Sequence, residues 1–141
     1  MCIRDSCLCE AVRLGVQLRL DLWNPRFRVD ACRRAVLEIL RENGGYVVTR
    51  GFEEFCDFVE VSAGINVDPE DVRQALLELR REGIINYFTR FIRGVFLFAV
   101  KFTEKYASRN NIAINSPKEN EWIWIAEGRM RWPLHPVKVR A

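Results

Sequence analysis

The chain has 141 residues, the size of one ordinary domain or of one domain with a terminal extension, which excludes a large multi-step enzyme. Apolar residues make up 49% and charged residues 29%, with eight Gly and five Pro, so disordered, collagen-like and low-complexity classes are excluded and a soluble globular chain is expected. The net charge of +3 does not mark a nucleic-acid binder by itself, and no apolar run approaches the roughly 20 residues of a membrane helix, so no membrane partner is expected.

Residues 1–6 read MCIRDS, which resembles the conceptual translation of a transposase mosaic-end adaptor. They are set aside from fold reasoning, with the expectation of a metagenomic reading frame whose true start lies upstream. Cys7, Cys9, Cys32 and Cys56 then remain, and no signal-peptide pattern follows, so a reducing, cytoplasmic compartment is expected. Between residues 12 and 22 apolar side chains fall on alternate positions (Val12, Leu14, Val16, Leu18, Leu20, Leu22), which predicts a half-buried strand in an N-terminal segment, residues 7–29. Asn24-Pro25 breaks it. Asp30 offers an N-cap for a helix over 31–43, with Cys32, Ala35, Val36, Ile39 and Leu40 on one face, and Gly44-Gly45 ends that helix. Tyr46, Val47 and Val48 suit a short strand, and Phe52, Phe55, Cys56 and Val59 resume helical spacing as far as Ala63-Gly64.

The third helix carries the clearest signals. Asp68 is a good N-cap, Pro69 fits the first helical position, and Glu70 and Asp71 complement the positive end of the helix dipole. Val72, Ala75, Leu76 and Leu79 form its buried stripe, leaving Glu70, Asp71, Arg73, Gln74, Leu77, Glu78, Arg80 and Arg81 outside it, and Gly83 stops it. Residues 84–102 hold two aromatic and β-branched runs around a short basic turn, the pattern of a hairpin. In its second run Phe96, Phe98, Val100 and Phe102 alternate with Val95, Leu97, Ala99 and Lys101, so both faces are largely apolar. One core does not cover both; the N-terminal strand, the C-terminal extension or a second subunit in a homodimer would supply the second cover. In the extension, residues 106–141, Glu121 to Ala126 reads as a strand that turns at Glu127-Gly128 into Arg129, Met130, Arg131 and Trp132. Trp122, Trp124 and Trp132 either cover the hairpin's second face, the favoured reading, or stack on a single-stranded nucleic acid.

Nothing in the sequence points to catalysis. The one histidine, His135, lies between Pro133 and Pro136 without a neighbouring Ser, Cys or carboxylate, and Gly44-Gly45 lacks the spacing of a phosphate-binding loop. Cys7 and Cys9 are half of a zinc-site pattern whose second pair is missing. No enzyme, metal or cofactor is therefore expected.

The order helix, short strand, helix, capped helix and hairpin, together with the segment VDPEDVRQALLELRREGIINYF at residues 67–88 and a wing-like turn at residues 90–94, resembles the winged helix-turn-helix superfamily. The resemblance spans roughly residues 30–102 and implies an α+β fold of three helices plus a β-hairpin wing, in a domain placed at residues 30–105. It also implies duplex DNA as partner, with the third helix in the major groove and the wing on the backbone or minor groove, in a transcriptional regulator or an accessory replication or mobile-element factor. Arg73 and Gln74 are then the candidates for base edges, with Arg81 beside them on the same helix.

Charge divides unevenly along the chain. Residues 30–83 carry seven Arg against twelve acids, net −5; residues 84–141 carry ten Lys or Arg against four Glu, net +6; residues 1–29 add +2. The positive field therefore lies on the hairpin and tail, which adds Arg90, Arg93, Lys101, Arg129 and Arg131 to the expected DNA-binding set. The acidic helices and two-faced hairpin support the alternative of a winged helix used as a protein-protein interaction module.

Overall fold

The computed structural model describes residues 24–132. The strand expected at residues 12–22, Cys7, Cys9 and His135 lie outside the described residues. Among the described residues the architecture is mixed α+β, with five helices and a three-stranded antiparallel sheet.

Helix α1 runs Pro25–Glu42 and starts earlier than the sequence suggests. Asp30 does not cap it: Asn24 does, accepting a hydrogen bond from the Arg26 N–H at 2.9 Å, and Pro25 takes the first helical position, where no amide donor is needed. The dipeptide read as a break is thus a helix start. Gly44 and Gly45, both at positive φ, reverse the chain into β1 (Tyr46–Thr49), and a Cβ on Gly45 would stand only 3.1 Å from the Phe102 ring. Helices α2 (Phe52–Ala63) and α3 (Pro69–Arg81) follow as expected, closed by Gly64 and Gly83.

The hairpin consists of β2 (Ile85–Ile92) and β3 (Val95–Phe102), with Ile92 opposite Val95 across a two-residue turn. Its central residues, Arg93 at φ 52° and Gly94 at φ 80°, are both left-handed, as a type I′ turn requires. β1 pairs with the other edge of β3, giving the order β1-β3-β2.

β3 is therefore the central strand, and its alternation feeds two cores. On one face Phe98, Val100 and Phe102 join Val36, Ile39 and Leu40 of α1, Phe55 and Val59 of α2, and Val72, Leu76 and Leu79 of α3. On the other face Leu97 and Ala99 join Tyr46, Val48, Trp122, Ile125, Ala126 and Trp132. The chain's own C-terminal segment covers the second face, so the sequence-based reason for a second subunit there is removed. Residues 121–126, expected as a strand, are instead part of helix α5 (Glu119–Ala126). Trp122, Ile125 and Ala126 bury one helical face at i, i+3 and i+4, and the Glu121 carboxylate accepts from the Lys118 backbone N–H at 2.9 Å. The strand expected at residues 129–132 is reduced to one bridge, in which the Val48 N–H donates to the Trp132 carbonyl at 2.9 Å along the outer edge of β1. A further helix, α4 (Glu104–Arg109), follows the hairpin and is capped by Thr103, whose hydroxyl accepts from the Tyr106 N–H at 3.2 Å. No helix among the described residues is long and apolar enough to cross a membrane.

Candidate nucleic-acid interface

Helix α3 is fixed on one flank by α1. Asp71, expected outside the buried stripe, instead turns inward: it is 6% exposed, accepts from Arg28 Nε at 2.8 Å and closes its own helix start by accepting from the Asp68 N–H at 3.0 Å. Glu78 accepts two hydrogen bonds from Arg26 and one from Arg33, each at 2.8 Å, and one from Gln74 Nε2 at 3.0 Å. These donors, Arg26 foremost, hold its carboxyl well below the ordinary range. Arg33 also pairs with Glu82. Gln74 stays exposed, with its amide directed to Glu78 on the α1 side of the helix and not toward Arg73.

The opposite flank is basic and aromatic. The Arg73 guanidinium lies 5.4 Å from the Phe52 ring centroid and pairs with Glu70; that of Arg80 lies 4.9 Å from the Tyr87 centroid. Phe52 and Tyr87 both pack against Phe98, at 5.4 and 6.2 Å between centroids, so the two arginines border one aromatic surface joining α3 to the hairpin. Arg81 is exposed in the last turn. Arg80 was not singled out from sequence, although its seven-residue spacing from Arg73, two helical turns, places both on one stripe.

Along the hairpin Tyr87, Thr89 and Phe91 share that sheet face with their partners Val100, Phe98 and Phe96. The helices stop short of the tip. Phe91 is 60% and Phe96 63% exposed, with their ring centroids 4.6 Å apart. Arg93 occupies the turn, exposed, with Nε 4.0 Å from the Glu127 carboxylate.

The remaining expected cations lie on the other face or beyond it. Arg90 sits over the Trp122 indole and pairs with Glu119, which raises the guanidinium pKa and lowers that of the carboxyl. Lys101 Nζ lies 5.9 Å from the Phe88 centroid, Arg129 pairs with Glu127 at 3.6 Å, and Arg131 is exposed near the end of the described chain. The expected set is thus divided: Arg73 and Arg81 lie on the outer side of α3 and Arg93 at the tip, whereas Arg90 and Lys101 lie across the sheet from α3 and Arg129 beside α5.

No group of three or more His, Cys, Asp or Glu side chains placed to hold a metal ion occurs among the described residues. Cys32 and Cys56 are buried in the helical core, where desolvation pushes their thiols up to about 12 and about 11, so they pack as small neutral groups. Comparison with protein-family models, curated proteins and solved structures finds no match to the chain.

Proposed function

We propose that the chain is a winged helix-turn-helix module that binds duplex DNA, with the outer stripe of α3 in the major groove and the β2–β3 hairpin on the backbone or minor groove. The order of helices and strands supports this reading, as does the short β1 that closes the sheet against β3. The observation that carries it is the placement of Arg73, Arg80 and Arg81 along one side of α3, next to the sheet face whose hairpin ends in Arg93. Of these four cations Arg73 pairs with Glu70 and Arg93 with Glu127, and residues 30–83 as a whole carry net −5. Such a surface engages phosphates first, and Arg73 is the residue best placed to reach a base edge. The setting would be a transcriptional regulator or an accessory replication or mobile-element factor.

The test is fluorescence anisotropy with a labelled random duplex titrated at low and near-physiological salt. Affinity is expected to fall steeply as salt rises, and Arg73→Ala with Arg81→Ala to lessen the slope by about 1 for each phosphate contact removed. Absence of binding at low salt overturns the reading. Glu53 and Glu54 then favour a protein-docking module, because they occupy the first turn of α2, the helix that would cross the DNA backbone.

A further inference from the structure

Of the nine phenylalanines in the chain, only Phe91 and Phe96 are exposed. They face each other across β2 and β3 in ring contact, one pair of residues in from the turn, and so form a single apolar blade at the end of the hairpin. Neither belongs to a core. The blade is braced from behind, because Ile92 and Val95 on the opposite face pack against the second core. The cation next to it in the chain is Arg93, exposed in the turn at positive φ, with its Nε 4.0 Å from the Glu127 carboxylate on the opposite side of the sheet, a pair that the blade's ligand would have to displace. Paired aromatic rings with an adjacent guanidinium match a polyanion that has flat apolar surfaces inside it, which is the chemistry of stacked bases between phosphates.

We propose that Phe91 and Phe96 form a wedge that enters the minor groove of bound duplex and partly opens a base step, while Arg93 engages the flanking phosphate. This rests on the duplex-binding reading above and adds to it a mode of action, DNA deformation. The preferred steps are the easily unstacked pyrimidine–purine ones, TA above all. Selectivity then arises partly from deformability at a step that no side chain reads by hydrogen bonding.

The experiment uses the full chain and a duplex of about 20 base pairs carrying 2-aminopurine beside a central TA step and a donor–acceptor dye pair at its ends. Binding is expected to raise the 2-aminopurine fluorescence and shorten the end-to-end distance. Phe91→Ala with Phe96→Ala, whose fold is checked by circular dichroism, is expected to bind about tenfold more weakly, with neither signal. Phe91→Leu with Phe96→Leu, which keeps an apolar wedge, is expected to retain the shortening in part. Salt-sensitive binding without either signal in the parent chain, or unchanged signals in the double alanine variant, overturns the wedge and leaves the duplex-binding reading standing. If the double alanine variant also binds with unchanged affinity, the blade belongs to a protein contact. No binding of duplex at low salt overturns both readings, and equal affinity for a single strand overturns the wedge.

Discussion

The guanidinium of Arg90 lies over the indole of Trp122, 4.9 Å from the ring centroid, while the same group pairs with Glu119 at the start of α5. A hairpin cation is thus turned toward the C-terminal layer, fastening α5 to β2. Arg90→Ala is expected to lower stability by about 1 kcal/mol through the lost cation–π contact, read as a shift in the urea midpoint. It should leave the salt slope of duplex binding unchanged, whereas Arg93→Ala lowers that slope by about 1. Equal slopes for the two variants would place Arg90 against DNA and defeat this assignment.

Arg93 allows stability and binding to be separated. Its φ of 52° is uncommon for a residue with a Cβ, and asparagine occupies that conformation more readily. Arg93→Asn is therefore expected to raise stability by up to about 1 kcal/mol while weakening duplex binding, measured by thermal melting and anisotropy on the same preparation. A variant that is destabilised, or that binds as the parent does, contradicts the role given to the turn.

The α1–α3 seam gives the fold a defined acid response. Glu78 and Asp30 are held below their ordinary values of 4.5 and 3.8, chiefly by hydrogen bonds from Arg26 in both cases. Folded-state values below those of the unfolded chain mean that the stabilisation is present in full above about pH 4.5 and is lost as pH falls through the folded-state values. Melting temperatures should hold near neutral pH and drop below that point. Glu78→Gln should cost about 1 kcal/mol at neutral pH, discounted for the exposed partner Arg26, and make the acid limb shallower. An acid limb identical to that of the parent would remove Glu78 as its source.

Two cores that share one strand should melt together. Leu76, 1% exposed between the helices, and Trp122, 5% exposed on the far side of the sheet, are expected to cost about 2–5 and 3–5 kcal/mol respectively when cut to alanine. Each variant should retain a single cooperative urea transition, because β3 belongs to both layers. A separate early transition in Trp122→Ala would show that the C-terminal layer folds on its own.

Legibility from sequence followed the strength of local chemistry. Asp68, Pro69 and Gly83 delimit α3 because cap, proline and glycine act within one turn of the backbone, and the hairpin was legible from its β-branched and aromatic alternation. Asn24-Pro25 was misread because the same pair both ends a strand and begins a helix, and the outcome depends on what Val29, Cys32 and Val36 pack against. The strand reading of Glu121 to Ala126 fails because its β-formers outweigh their helical spacing until the Leu97–Ala99 face is there to receive them. The two apolar faces of β3 were plain, yet their assignment to α5 required tertiary structure. In the candidate interface the sequence offers Arg73 and Gln74 for base edges, with Arg81 on the same helix and Arg93 at the turn, but the diversion of Gln74, Arg90 and Asp71 into ion pairs and hydrogen bonds depends on partners 4 to 43 residues away.

The brace behind the hairpin also gives it a directional stiffness. With Ile92 and Val95 seated against the C-terminal layer and the exposed rings of Phe91 and Phe96 in front, the two faces of the tip are supported unequally. Load on the tip directed toward α5 is therefore borne by packed side chains, whereas load directed toward α3 meets only the two exposed rings.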